Sequence, residues 1–164
     1  MNQIITKEEL KKLVSKKKFM KLALKQAKKA YKRDEVPVGA VIVKDGKVIS
    51  KAYNLREKTN LATGHAEILA IQKANKKLKS WRLDSCTLYV TIEPCPMCAG
   101  AIVQSRIKNV IYGAQDIKSG AHQSVTNIFD LKLNHKVKVE SGLMEEECGN
   151  IITEFFREKR KKNK

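Results

Sequence analysis

The chain has 164 residues, the usual size of a single domain, and 42% of them are hydrophobic, enough to form a core. No apolar run approaches the roughly 18 to 20 residues that cross a bilayer. The charged first residues, MNQIITKEELKK, also lack the apolar centre of a signal peptide. These features exclude a membrane-spanning protein, and we expect a protein of the cytoplasm.

The net charge is strongly positive, with 34 lysine and arginine residues against 17 aspartate and glutamate residues, which gives +17. Such an excess indicates a polyanionic partner, either nucleic acid or an anionic membrane. Only six of the 34 basic residues are arginine, however. The lysine-rich composition of an A+T-rich genome would produce the same balance, so composition leaves both interpretations open.

The N-terminal part of the chain predicts one long helix. Thr6 and Glu9 have the spacing of a capping box, and apolar residues at helical intervals extend the helix to Arg33. Its first half is rich in lysine and poor in apolar residues. We therefore expect residues 1–18 to form a basic N-terminal extension of the domain.

The rest of the chain predicts strands alternating with helices, and Asp45-Gly46 between two apolar runs predicts a β-hairpin. The predicted order is strand 38–43, strand 47–53, loop 54–64, helix 65–78, strand 87–92, helix 96–105, strand 109–112, loop 116–120, short helix 124–129, strand 136–140 and helix 143–162. No repeat or linker interrupts this order. We therefore predict a single α/β domain over residues 1–164, with a mixed sheet and helices on both faces.

Cys95 and Cys98 form a Cys-x-x-Cys pair at the start of a predicted helix. Free backbone N–H groups and the helix dipole favour thiolates at such a position. Two thiolates supply only half of the four ligands that zinc prefers. The other two cysteines, Cys86 and Cys148, stand alone in the sequence and do not form a second pair.

The best third ligand among the three histidines is His65, because it also opens a predicted helix. Three protein ligands would leave the fourth position for water, which is typical of catalytic zinc. Glu67, in the first helical turn, could take the proton of that water. Taken alone, the cysteines could be a redox pair and His65 a core residue. Together, H-x-E followed by P-C-x-x-C is the signature of zinc nucleobase deaminases.

The sequence resembles the cytidine-deaminase superfamily and, within it, the TadA-type tRNA-specific adenosine deaminases. The resemblance covers residues 19–162 and rests on DEVPVGAVIV, GHAEILAI, LYVTIEPCPMCAGAIVQSRI, VIYGAQDIKSGA, LNHKVKV and ITEFFREKR. It implies a three-layer α-β-α sandwich around a five-stranded mixed sheet. It also implies a homodimer that converts adenosine to inosine at the wobble position of a tRNA anticodon, with tRNA-Arg as the expected substrate.

The same resemblance implies roles for individual residues. His65, Cys95 and Cys98 would hold one zinc ion per subunit, and Glu67 would move protons during the reaction. The residues expected to bind the RNA substrate are Asn54 at the flipped base, Glu93 through the backbone beside it, Asp116 and Lys118 at the flanking nucleotides, and Phe155, Phe156 and Arg157 in the last helix.

Two other functions share part of these features. A deaminase of a free nucleobase, nucleoside or nucleotide, of the guanine or cytosine type, would share the zinc ligands and Glu67. It would have no need for a basic surface. A zinc-stabilised RNA-binding module without catalysis would have no need for Glu67.

Overall fold

The computed structural model describes residues 3–164. Met1 and Asn2, the start of the predicted N-terminal extension, lie outside the described residues. The elements are α1 (Lys7–Lys32), β1 (Gly39–Lys44), β2 (Lys47–Tyr53), α2 (Arg56–Thr59), α3 (Ala66–Leu78), β3 (Thr87–Ile92), α4 (Pro96–Gln104), β4 (Asn109–Ala114), a 3₁₀ turn (Ile128–Asp130), β5 (Lys138–Glu140) and α5 (Glu145–Lys162). None of these helices is both long and apolar enough to span a membrane.

The five strands form one mixed sheet in the order β2-β1-β3-β4-β5. β1 is antiparallel to both β2 and β3, whereas β3, β4 and β5 are mutually parallel. β2, β3 and β4 therefore all end at the same edge of the sheet. Ligand sites in such sheets form beyond the carboxyl ends of the strands. The residues that follow these three strands are therefore brought together at one edge.

Helices cover both faces of the sheet, which confirms the predicted three-layer architecture. On one face, α1 and α5 pack over a core that includes Met20, Ile111 and Cys148. On the other face, α3 and α4 pack over a core that includes Leu88 and Ile102.

The predicted start of α1 is confirmed in detail. The backbone N–H of Glu9 donates to Oγ1 of Thr6 at 3.1 Å, and the backbone N–H of Thr6 donates to the Glu9 carboxylate at 2.9 Å. The first turns of α1 do not reach the core, because Leu10 and Val14 are 52% and 61% exposed. Burial along α1 begins at Phe19.

Two local predictions are wrong. The predicted loop 54–64 contains the short helix α2, and the helix predicted at 124–129 is only the 3₁₀ turn Ile128–Asp130. The second difference has a clear physical cause. The backbone N–H groups of Val125 and Thr126 both donate to the carbonyl of Gly120, and that of Ile128 donates to the carbonyl of Ala121, so none of them makes the i to i−4 bond of an α-helix.

Candidate active site and metal centre

His65 and Cys95 each occupy the N-cap position of a helix, α3 and α4 respectively. Both have extended backbones, with φ and ψ of −76° and 149° for His65 and −73° and 170° for Cys95. Pro96 is the first residue of α4, where its missing N–H costs no helical hydrogen bond. The two helix starts face the same edge of the sheet, as the sequence predicted.

Three side chains at this edge, those of His65, Cys95 and Cys98, could hold a metal ion. Nδ1 of His65 lies 3.6 Å from Sγ of Cys95 and 3.5 Å from Sγ of Cys98. Zinc bound tetrahedrally at about 2.3 Å from sulfur and about 2.0 Å from nitrogen would place those atoms about 3.5 Å apart. The donor chemistry and the spacing therefore both fit zinc.

The two remaining histidines are used elsewhere. The Tyr112 hydroxyl and Nδ1 of His122 are 2.8 Å apart in a hydrogen bond. Nε2 of His135 lies 2.7 Å from the carbonyl oxygen of Ile107 and donates to it. This agrees with His65 as the histidine of the metal-binding group.

The two thiols of the group differ in acidity. Hydrogen bonds from Cys98 and His65 lower the pKa of Cys95 to about 4. The Cys98 thiol donates to Cys95 and is buried, and both effects raise its pKa. The hydrogen bond to Cys95 also raises the pKa of His65. The lowered pKa of Cys95 favours its thiolate form, which is the form that binds a cation.

Glu67 lies beside this group in the first turn of α3, with only 3% of its surface exposed. Burial raises the pKa of its carboxyl group to about 7. A carboxyl group with such a pKa exists in both protonation states near neutral pH. It can therefore both accept and donate a proton during one reaction.

A cavity of about 650 Å³ opens above His65, Glu67 and Cys95. Five of the residues expected to bind substrate line it, namely Asn54, Glu93, Asp116, Lys118 and Phe156. Phe155 and Arg157 are not among its lining residues. The lining residues that the sequence analysis missed include Val36, Val38, Arg56, Ile92, Gln115, Ile117, Ser119, Ile152, Thr153 and Arg160.

Of the three residues expected in the last helix, the cavity is lined by Phe156. Phe155 is buried and packs edge-on against Tyr31, with ring centroids 5.5 Å apart. Adjacent residues on a helix point about 100° apart, so Phe156 faces the cavity and Arg157 faces solvent. Arg160, one turn after Phe156, also lines the cavity. Phe156 and Arg160 are four residues apart, a spacing that places two residues on the same side of a helix, and this spacing is visible in the sequence.

Asn54 is anchored by the backbone around it. Its side-chain Nδ2 donates to the carbonyl of Val36, and its Oδ1 accepts from the backbone N–H of Arg56, both at 3.2 Å. A side-chain amide has two N–H groups and two lone pairs. One donor and one acceptor site of Asn54 therefore remain for a bound molecule.

The Glu93 carboxylate organises the loop that follows β4. It accepts backbone N–H groups from Asp116, His122, Gln123 and Ser124 at 2.9 to 3.2 Å, and also the Ser124 hydroxyl. Burial would raise the pKa of this carboxyl group, but these hydrogen bonds lower it overall. The side chain thus holds the loop, and only the backbone beside it is left to contact a substrate.

Asp116 stabilises the same loop from within. Its carboxylate accepts the backbone N–H groups of Lys118 and Ser119 at 3.1 and 3.2 Å and the Ser119 hydroxyl at 2.6 Å. This turn fixes the backbone from which Lys118 reaches the cavity.

A scan of protein families matches residues 14–160 to the MafB19-like deaminase model. The α-β-α fold and the His-Cys-Cys group thus define a deaminase. The chain is 51% identical over 147 residues to the tRNA-specific adenosine deaminase of Bacillus subtilis, covering 89% of this chain and 91% of that relative. The chain therefore belongs to the tRNA-specific adenosine deaminase family.

Solved structures of two kinds of deaminase share the fold. One structure, from a study of A-to-I editing by tRNA:A34 deaminases, superposes with a TM-score of 0.80 at 47% identity, covering 82% of this chain and 98% of that one. Guanine deaminase from Bacillus subtilis superposes with a TM-score of 0.57 at 36% identity, covering 71% of this chain and 85% of that one.

Proposed function

We propose that this protein is a zinc-dependent hydrolase that converts adenosine to inosine at the wobble position of a tRNA anticodon. The observation that carries the proposal is the His65, Cys95 and Cys98 group beside the buried carboxyl group of Glu67, at the base of a cavity. Half of the residues are also identical to those of a tRNA-specific adenosine deaminase over most of the chain.

The proposed reaction needs a metal and a proton carrier. One zinc ion per subunit, held by His65, Cys95 and Cys98, would act as a Lewis acid and lower the pKa of water. Glu67 accepts a proton from the attacking water and delivers it to the adenine ring nitrogen. The water oxygen bonds to C6, the bond from C6 to the amino group breaks, and Glu67 passes on the second proton as ammonia leaves.

The cavity walls hold the base in this proposal. Asn54 offers its remaining donor and acceptor to the edge of the purine, and the backbone next to Glu93 contacts the intermediate. Lys118, on the turn fixed by Asp116, and Phe156, from α5, contact the flanking nucleotides. A cavity of about 650 Å³ is within the usual range for sites that enclose a small organic ligand.

A polyanionic substrate suits the charge of the surroundings. Arg56, Lys118 and Arg160 all line the cavity, and the net charge of the chain is +17. We infer that tRNA is the partner, with tRNA-Arg as the expected species. We also infer that the protein acts in the cytoplasm. In this proposal residues 1–164 form one domain with a basic extension, residues 1–18, and the described part of that extension, residues 3–18, does not line the active-site cavity.

We also infer that the protein is a homodimer. α4 and the 3₁₀ turn pack against each other. Four apolar side chains on or near these two elements are between 37% and 60% exposed, namely Met97, Val125, Leu131 and Leu133. Exposed apolar side chains in neighbouring segments are typical of an interface. Sedimentation equilibrium should give a mass near twice 18.6 kDa, and a strictly monomeric mass would contradict this inference.

A substrate panel tests the proposed function. Zinc-loaded protein should form inosine in an anticodon stem-loop with adenosine at the wobble position, and should leave guanine, cytosine, cytidine and dCMP unchanged. The structural similarity to guanine deaminase supports one alternative function, the deamination of a free nucleobase, nucleoside or nucleotide. Turnover of any of these small molecules without turnover of the stem-loop would favour that alternative.

A further inference from the structure

The outer side of α1 carries a straight row of lysines whose spacing alternates between four and three residues. The row consists of Lys7, Lys11, Lys18, Lys21, Lys25, Lys28 and Lys32, with Val14 at the one position that is not lysine. All eight side chains are exposed. At a rise of about 1.5 Å per residue the lysine row is about 38 Å long.

The lysine row has no acidic partners within the described residues. Lys12 and Lys16, which pair with Glu8 and Glu140, lie outside the row. Like charges three and four residues apart on a helix repel one another. The row therefore carries an electrostatic cost that a bound polyanion would relieve.

The lysine row ends beside the active-site cavity. Lys32 is followed by Arg33, which lines a second hollow together with Arg56, Lys159 and Arg160. Arg56 and Arg160 line the active-site cavity as well. Basic residues thus extend from the cavity to the far end of α1, although the second hollow also contains Asp34, Glu35 and Glu57.

A phosphate backbone fits this surface better than a membrane does. An interfacial helix needs a wide apolar face to enter the lipid. The apolar face of α1 is packed into the core from Phe19 onward, and only Leu10 and Val14 expose apolar surface on the lysine side. What remains is an exposed side that carries the lysine row together with Lys12, Lys17 and Lys29, and such a basic side suits a nucleic-acid backbone.

We propose that the lysine row binds the phosphate backbone of the substrate tRNA beyond its anticodon loop. The inference rests on the proposed function, since it places the wobble nucleotide in the cavity. With the loop held there, the far end of the row, at Lys7, Lys11 and Lys18, lies about 21 to 38 Å from Lys32 along the helix. Those three lysines then contact parts of the tRNA that a short stem-loop lacks.

The test compares the triple variant Lys7→Gln, Lys11→Gln, Lys18→Gln with a control that changes three exposed lysines of α3, on the other face of the sheet, Lys73→Gln, Lys76→Gln, Lys77→Gln. Both lose three charges, and glutamine preserves the helix. Dissociation constants are measured by fluorescence anisotropy at several salt concentrations. The RNAs are a full-length tRNA and its five-base-pair anticodon stem-loop.

We expect the row variant to bind the full-length tRNA at least about tenfold more weakly than the wild type. The slope of log K against log salt should fall by about 2 to 3, since each phosphate contact contributes about 0.7 to 0.9. The control variant should have a dissociation constant for the full-length tRNA within about twofold of the wild-type value. The dissociation constant of the row variant for the stem-loop should equal that of the wild type. A triple Lys→Arg variant should keep the affinity, which separates loss of charge from loss of folding.

Equal tRNA affinities and salt slopes for the row variant and the control would overturn the proposal. The proposal would also be overturned if the row variant lost binding to phosphatidylserine vesicles and kept its affinity for tRNA, because the partner of the row would then be a membrane. Failure of the proposed function would be distinguishable, because the wild-type protein would then leave the stem-loop adenosine intact. The binding comparison does not depend on turnover.

Discussion

Nδ1 of His65 lies 3.5 Å from Sγ of Cys98, although the two residues are 33 positions apart in the chain. Each belongs to a different helix start, and the two helices lie on the same face of the sheet. The distance is what a shared tetrahedral zinc ion requires. The metal group is therefore assembled by the tertiary fold and not by either motif alone.

Removal of one thiol of this group should abolish zinc binding. We expect Cys98→Ala to reduce the zinc content, measured by atomic absorption, from about one ion per chain to a small fraction of that, because two protein ligands hold zinc poorly. Cys86→Ala is the matched control, since Cys86 is equally buried but lies outside the group. Equal zinc contents for the two variants would contradict the assignment.

Glu93→Gln should loosen the loop after β4. The carboxylate accepts four backbone N–H groups and one hydroxyl, whereas a glutamine amide has only one oxygen and brings two additional donors. We expect a loss of about 1 to 3 kcal/mol in the free energy of unfolding. Amide hydrogen exchange should become faster at residues 116–124. Glu57→Gln, at an exposed position, should change neither measurement.

Two glycines should respond to alanine in opposite directions. A Cβ at Gly113 would lie 2.7 Å from Cβ of Cys148 and even closer to its Sγ, so Gly113→Ala should destabilise the protein by about 1 to 3 kcal/mol. Gly100 lies inside α4, and a Cβ there would meet no atom within 4 Å. Gly100→Ala should therefore stabilise the protein by about 0.5 to 1 kcal/mol. The urea concentration at the midpoint of unfolding should therefore be lower than that of the wild type for Gly113→Ala and higher for Gly100→Ala.

Arg160 should contribute more to substrate binding than Arg157 does. Arg160 lines the cavity, whereas Arg157 lies on another side of α5 and is exposed. Arg160→Ala should raise KM for the anticodon stem-loop several-fold, and Arg157→Ala should have a smaller effect on the same RNA. If Arg157→Ala raised KM more than Arg160→Ala did, Arg157 would be the main arginine contact of the RNA in α5, as the sequence indicated.

The sequence predicted most of the fold because local signals agreed with the final structure. Thr6 and Glu9 mark the start of α1, and Asp45 and Gly46 adopt the positive φ angles, 50° and 73°, of a tight hairpin turn. The metal group was also predictable, since His65 and Cys95 both precede helices that begin at the same edge of the sheet.

The missed features depend on contacts between distant segments. The 124–129 segment is not a helix, because its N–H groups donate to Gly120 and Ala121 in a loop that the Glu93 carboxylate, about 30 positions earlier, holds through residues 122–124. No local pattern announces such a hydrogen bond. The side of α5 that lines the cavity, with Phe156 and Arg160, likewise depends on which side packs against Tyr31.

The most direct test of the central claim compares inosine formation by the wild-type protein and by Glu67→Gln in an anticodon stem-loop with adenosine at the wobble position. The buried carboxyl group of Glu67 is placed to carry the protons, and the amide cannot replace it. We predict that the variant keeps one zinc ion per chain and its RNA affinity but loses at least about a hundredfold in rate. Unchanged turnover by Glu67→Gln, or no inosine from the zinc-loaded wild type, would contradict the account.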